Sequence, residues 1–227
     1  MYTLYIANKN YSSWSLRPWI LLQALQIPFE EVLTPFDQGS SWESFRRFSP
    51  TGLVPCLVDG ERSLWDSLGI VEYVAEDYLE VWPASRDARA WARCAVAEMH
   101  AGFGALRRIC PMNCGLRVEL VRVDANLRHD LARLDELWQQ GLGRFGGPFL
   151  AGGAFTAVDA FFAPVVFRIQ SYGLRLSAAS DAYAQRMLAL PGMRGWETAA
   201  LQEPWREEQH ELEILEYGRI TRDLRLA

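Results

Sequence analysis

The chain has 227 residues, half of them hydrophobic and 12% aromatic, with a formal net charge of -5. A chain of this length buries about 70% of its unfolded surface, so it needs no disulfide or metal to fold, and its hydrophobic content excludes a disordered polypeptide. The acidic balance argues against a surface for nucleic acid or for an anionic membrane, either of which calls for clustered basic residues.

Residues 2–7 are β-rich with alternating character and predict a strand. Apolar residues at helical spacing over 16–25 predict a helix that stops at Ile27-Pro28; Pro18 falls in its first turn, where a missing N–H costs nothing. Residues 29–34 predict a second strand, and this strand–helix–strand order favours a parallel pair. A short helix over 41–48 follows. Strands over 55–58 and 62–65 flank Asp59-Gly60, the strongest hairpin signal in the chain. Leu68, Ile70, Val71, Val74 and Ala75 place a helix over 67–78.

Composition then changes. Residues 80–88, with Trp82-Pro83, read as a linker between a first domain over 1–79 and a second over 89–227. Everything beyond the linker reads as helix. One amphipathic run covers 88–109 and another covers 118–140; shorter helices are expected over 156–171, 182–190 and 192–201. The fold class expected is α/β followed by all-α.

The four cysteines, Cys56, Cys94, Cys110 and Cys114, form no CxxC pair, and His100, His129 and His210 lie far apart. No metal site is expected, and the cysteines read as reduced thiols of a cytoplasmic protein. No basic, apolar leader occupies the first residues. No apolar run approaches the roughly 18–20 residues of a membrane span.

Chemistry concentrates in three segments. Ser12 and Ser13 precede the first helix, where free N–H groups and the positive end of the helix dipole favour an anion. A hydroxyl there caps the helix or donates to a thiolate and lowers its pKa; the residues alone leave both roles open. Val54-Pro55 begins a strand, either as an ordinary edge proline or with a cis bond that leaves the Val54 backbone to an extended, peptide-like ligand. Asp66-Ser67 opens a helix, as a cap or as a clamp. In a clamp the Ser67 hydroxyl and helix N–H groups hold a carboxylate while Asp66 holds an ammonium, which an α-amino acid end satisfies. Thr156-Ala157-Val158-Asp159 is a capping box with a structural role. Trp14, His100, Phe103, Arg107 and Met112 are candidates for the wall of a substrate pocket, although His100, with no partner identifiable in the sequence, reads as a core or interface residue rather than a base.

Taken together, Ser12-Ser13-x-Ser15-x-Arg17, Gly52-Leu53-Val54-Pro55-Cys56-Leu57, Trp65-Asp66-Ser67-Leu68-x-Ile70-x-Glu72-Tyr73 and Phe155-Thr156-Ala157-Val158-Asp159 with Pro164 resemble the soluble glutathione transferase superfamily over nearly the whole chain. The resemblance implies a thioredoxin-like N-terminal domain and an all-helical C-terminal domain. It implies that glutathione is the co-substrate, with no metal, and that Ser12, assisted by Ser13, activates the glutathione thiol as in the zeta and tau classes. Val54, beside a cis Pro55, pairs with the cysteinyl backbone, and Asp66 and Ser67 hold the γ-glutamyl end. A small hydrophobic electrophile is expected between the domains, in a homodimer that binds neither nucleic acid nor membrane. The serine pair is zeta-like, but Trp14 stands where the zeta motif carries cysteine. The basic residue of the zeta sixth helix falls near Ser171, with Arg168 one turn earlier. A glutathione transferase is therefore the expected activity, with a maleylacetoacetate-type isomerase or a non-catalytic binding protein of the same fold as alternatives.

Overall fold

The protein is described by a computed structural model over residues 1–225. The N-terminal part is a four-stranded sheet in the order β2-β1-β3-β4. Strand β1 (Tyr2–Ile6) pairs in parallel with β2 (Phe29–Leu33) and antiparallel with β3 (Cys56–Asp59), which forms a hairpin with β4 (Arg62–Trp65). Helix α1 (Ser13–Ala24) makes the crossover from β1 to β2, α2 (Trp42–Arg46) lies between β2 and β3, and α3 (Ser67–Asp77) follows β4. This mixed sheet is the thioredoxin-like arrangement that the order of predicted elements implies.

The expected linker is shorter than its composition suggests. A 3₁₀ turn occupies Leu79–Val81, and α4 begins at Arg86. The C-terminal part holds α4 (Arg86–Ala101), α5 (Gly104–Ile109), α6 (Ala125–Phe145), α7 (Ala157–Tyr172), α8 (Ala178–Leu188), α9 (Pro191–Gln202) and α10 (Glu208–Tyr217). Helix α7 is apolar on every side and buried over nearly its whole length, which makes it the axis of the core. Helix α1 packs directly on α7, so the start of α1 is set against the helical part.

Two sequence expectations are corrected. The run over 88–109 is two helices, because α4 stops at Gly102 and Phe103 turns left-handed at φ 56° before α5. The run over 118–140 is not one helix. Leu116–Leu120 is strand β5, paired antiparallel with β6 (Gly218–Asp223), so the C-terminal part carries a two-stranded ribbon. Leu116, Val118 and Leu120 fit a period of two as well as a helical face. The helix starts only where the Asp124 carboxylate accepts the Leu127 N–H at 2.8 Å.

The predicted capping role of Asp159 is seen in full. Its buried carboxylate accepts the N–H groups of Leu150 and Thr156 at 3.0 Å and the Tyr183 hydroxyl at 3.0 Å. Burial nevertheless pushes its pKa up to about 6. No helix among the described residues is long and apolar enough to cross a membrane, and no cluster of three or more metal-binding side chains occurs among them.

Candidate functional site

The turn between β1 and α1 is held from both parts of the molecule. Asn8 O accepts the Tyr11 and Ser12 N–H groups at 3.2 and 2.8 Å. The Glu203 carboxylate accepts the Lys9 and Asn10 N–H groups at 2.6 and 3.2 Å, and Trp196 donates to Lys9 O at 2.8 Å. Such clamping keeps the residues that open α1 in one geometry.

Ser12 is the residue before α1, but its side chain makes no capping bond. Its hydroxyl, on a residue only 5% exposed, donates to Ser15 Oγ at 2.7 Å, and Ser15 Oγ also accepts the Ala7 N–H at 3.3 Å. Ser13, the first helical residue, is half-buried. Both serines line a cavity of about 320 Å³ together with Tyr11, Trp14, Phe36, Phe45, Leu53, Val54, Arg107, Pro111, Met112, Arg168, His210 and Glu213.

A second cavity, of about 380 Å³, is lined by Thr51, Trp65, Pro55, Asp66 and Ser67, and it shares Trp14, Leu53 and Val54 with the first. The two adjoin at Trp14, Leu53 and Val54 and are together termed the groove, between the start of α1 and the start of α3. The Val54–Pro55 bond is cis. Asp66 takes a left-handed φ of 67° and caps α3 by accepting the Leu68 N–H at 2.8 Å. A non-glycine residue in that region costs about 1–3 kcal/mol, and such residues cluster at ligand clamps. The groove thus has hydroxyls and a helix start at one end, and a carboxylate, a hydroxyl and a second helix start at the other.

Three arginines surround this groove. Arg17 is buried behind Trp14, with its guanidinium carbon 4.1 Å from the Trp14 ring centroid and 4.8 Å from that of Phe161. Arg107 lies 4.9 Å from the Trp14 centroid and donates to the carbonyls of Met99, His100 and Gly102 that end α4. Arg168 is buried in α7 and donates through Nε to Cys110 O at 2.8 Å. Among the described residues, none of the three forms an ion pair with a carboxylate. Burial, then the charge of Arg107, brings the Arg168 pKa down to about 10; burial also lowers Arg17 and Arg107.

Of the five residues expected from sequence to wall a substrate pocket, Trp14, Arg107 and Met112 line the first cavity, and Phe103 and His100 do not. Phe103 is buried at the α4–α5 break. His100 packs against Trp14 with ring centroids 5.3 Å apart, and its Nε2 faces Asp66 Oδ2 at 3.5 Å. Burial lowers its pKa, opposed by Asp66, and its buried Nδ1 has no partner. Cys56 is buried, and burial raises its thiol to about 11, far from a reactive thiolate.

Sequence reading missed the residues that come from far along the chain. Helix α10 brings His210 against the rings of Tyr11 and Phe36, at centroid distances of 5.2 and 5.3 Å, with Nδ1 held by Glu207 Oε2 at 2.6 Å. The Tyr11 hydroxyl donates to Glu211 Oε1 at 2.6 Å and receives Arg225 Nη1 at 3.2 Å. Burial, then the Glu211 bond, pushes the Tyr11 phenol up to about 12. Arg225 also pairs with Glu211 and with Asp223. Its stem lies so close to Gly115 that a Cβ there would meet Arg225 Cγ at 2.3 Å. The acidic run over 207–217 does not by itself name these partners.

Comparison with known proteins gives a consistent family. Residues 7–82 match the family model for the glutathione S-transferase N-terminal domain, and residues 83–199 match the model for the C-terminal domain. A probable maleylacetoacetate isomerase of Vibrio cholerae is 28% identical over 195 residues, covering 79% of this chain and 88% of that protein. A zeta-class glutathione S-transferase of Euphorbia esula is 28% identical over 163 residues, covering 68% of this chain and 71% of that protein. Among solved structures, a glutathione transferase homologue from Burkholderia with bound glutathione superposes with a TM-score of 0.65 at 22% identity, covering 88% of this chain and 97% of that one. The ribbon strand β6 and helix α10 lie beyond the matched residues.

Proposed function

The chain belongs to the glutathione S-transferase family, and on that premise we propose that it is a glutathione transferase that activates the thiol with Ser12. The observation that carries this reading is the pair of adjoining cavities, which share Trp14, Leu53 and Val54. One end holds the Ser12 and Ser13 hydroxyls and the start of α1, and the other holds Asp66, Ser67 and the start of α3. An extended tripeptide with a thiol in the middle and an α-amino acid end matches that order of groups.

In this reading the thiol loses its proton to solvent, and the sulfur anion sits at the positive end of α1. The Ser12 hydroxyl turns to donate to the sulfur. Ser15, now at 2.7 Å as its acceptor, reverses to donate to Ser12 Oγ while still accepting the Ala7 N–H. The sulfur then forms a bond to an electrophilic carbon, and the leaving group departs with the bonding pair or the electrons move onto a conjugated carbonyl. Burial of the Tyr11 phenol and its bond to Glu211 keep Tyr11 neutral and committed elsewhere, which supports serine rather than tyrosine as the activator. Ser13 lies on the same cavity wall and is the assisting neighbour.

A specific observation favours an anionic acceptor and, with it, the maleylacetoacetate-type isomerase as a second reading. Arg168 and Arg107 both line the acceptor cavity with no carboxylate partner. A buried cation such as Arg168 is ordinarily paired, and an acceptor carboxylate supplies the pair. The resemblance further supports a cytoplasmic homodimer. Steady-state assays with glutathione and an aryl halide, a hydroperoxide or maleylacetone test the reading. Glutathione-dependent turnover of at least one acceptor is expected; absence of turnover with all three, joined to no thermal shift at millimolar glutathione, would leave a non-catalytic member of the fold.

A further inference from the structure

The wall of the first cavity carries a histidine with a fixed carboxylate partner. Glu207 is buried just before α10, and its Oε2 accepts the His210 backbone N–H at 2.7 Å and meets the imidazole Nδ1 at 2.6 Å. Burial works against ionisation of this carboxyl, but its bonds to His210 hold it below its ordinary value. A carboxylate only accepts, so Nδ1 carries a proton and Nε2 is the nitrogen left to exchange one. Among the described residues Nε2 has no hydrogen-bonding partner, and the side chain is 31% exposed, within reach of water. The rings of Tyr11 and Phe36 lie against the imidazole. The other titratable groups of the wall are Tyr11, Arg107, Arg168 and Glu213. Tyr11 is committed to Glu211 and pushed up to about 12 by burial and that bond, and burial brings Arg168 down only to about 10. Glu211, on the same helix as His210, is paired with Arg225. Histidine is the side-chain type among them that trades a proton around neutral pH.

We propose that His210, held by Glu207, is a catalytic acid that protonates the acceptor after sulfur has added to it, which suits the site to α,β-unsaturated carbonyl compounds. The assignment rests on the glutathione reading of the groove. The sulfur anion forms a bond to the β-carbon, and the C=C π pair moves onto the α-carbon and the carbonyl oxygen as an enolate. Arg107 and Arg168, on the same wall, favour that developing charge. The enolate pair then takes the Nε2 proton of the imidazolium at the α-carbon, and the ring is left neutral with its Nδ1–H still on Glu207. Water, which received the thiol proton, returns a proton to Nε2. The net change is addition of S–H across the C=C bond, with no oxidant or reductant. Substitution on an aryl halide needs no such proton, because the halide leaves with the bonding pair.

The test is steady-state kinetics of the full chain and its His210→Gln and His210→Phe variants with glutathione, using cyclohexenone and chlorodinitrobenzene as acceptors. Circular dichroism verifies folding, and His210→Phe keeps a ring between Tyr11 and Phe36 should His210→Gln fail to fold. Each variant is expected to lose about tenfold or more in kcat/KM for cyclohexenone beyond whatever it loses for the aryl halide. In deuterium oxide the wild-type chain should place deuterium on one face of the α-carbon of the cyclohexenone adduct, read by NMR, and the variants on both faces. Parallel losses for the two acceptors, no loss for either, or deuterium on both faces in the wild type would overturn the role of His210. Wild-type turnover of the aryl halide without any of cyclohexenone would also overturn it and leave the glutathione reading standing. Wild-type turnover of neither acceptor would remove the transferase reading and this assignment with it.

Discussion

Ser12 and Ser15 share a hydrogen bond of 2.7 Å in which Ser12 is the donor, so the hydroxyl proposed to activate a thiol has its proton on a neighbour. In the proposed mechanism this pairing gives Ser15 a supporting part. Ser12→Ala removes one charge-assisted bond and should lower kcat/KM about ten- to a hundredfold. Ser15→Ala leaves Ser12 in place and should cost less, about two- to tenfold. Equal losses in both, measured by steady-state kinetics with glutathione, would mean that Ser12 acts only by fixing the turn.

Replacing Arg168 with methionine keeps much of the volume inside α7 and removes the charge. Turnover of an acceptor bearing a carboxylate, such as maleylacetone, should fall about tenfold or more in kcat/KM. An uncharged aryl halide should be affected little. Parallel losses for both acceptors would show that Arg168 supports the fold around Cys110 rather than the acceptor.

Arg225 ties the ribbon and α10 to Tyr11 and Glu211. Arg225→Met should destabilise the chain by about 1–2 kcal/mol, allowing for the exposed side of Asp223. That corresponds to a drop of roughly 2–8 °C in Tm for a chain of this size. Differential scanning calorimetry measures it; an unchanged Tm would show that the tail docks through Ile214 and β6 alone.

Asp159→Ala leaves the Leu150 and Thr156 N–H groups and the Tyr183 hydroxyl without their acceptor in a fully buried place. A loss of about 3–5 kcal/mol is expected. Urea denaturation gives the value, and a loss under 1 kcal/mol would mean that another group takes over the cap.

Burial, against the pull of Asp66 and together with Arg17 and Arg107, holds the His100 pKa below its ordinary value. The unfolded chain therefore takes up this proton first as the pH falls. The stability that neutral His100 contributes is present above its unfolded pKa of about 6.5 and is lost as the pH drops through the folded pKa. Stability of wild type relative to His100→Gln should decline between about pH 7 and pH 5. A difference independent of pH would rule out His100 as the group responsible.

Local signals carried the N-terminal part well. Asp59-Gly60, Val54-Pro55 and the apolar spacing after Ser67 each sit where turn chemistry and periodicity put them, because those elements are determined by neighbours in sequence. The groove ends at Ser12 and Asp66 were legible for the same reason, since each is a helix start. The misreadings share a cause. Leu116, Val118 and Leu120 satisfy two periods at once, and only pairing with residues a hundred positions away selects the strand. His210 reaches the first cavity through packing of α10, which no local pattern encodes. Phe103 and His100 lie close in sequence to Arg107, but Phe103 is buried at the α4–α5 break and His100 packs against Trp14 and faces Asp66, so neither lines the cavity that Arg107 reaches.

The ultraviolet absorbance of the thiolate, titrated against pH with glutathione bound to the wild-type chain and to Ser12→Ala, tests the central claim most directly. The expected midpoint in the wild type lies at least about one pH unit below that of a free thiol near 8.5 and moves back toward it in Ser12→Ala. A wild-type midpoint equal to that of free glutathione, or one that Ser12→Ala leaves unmoved, would contradict it.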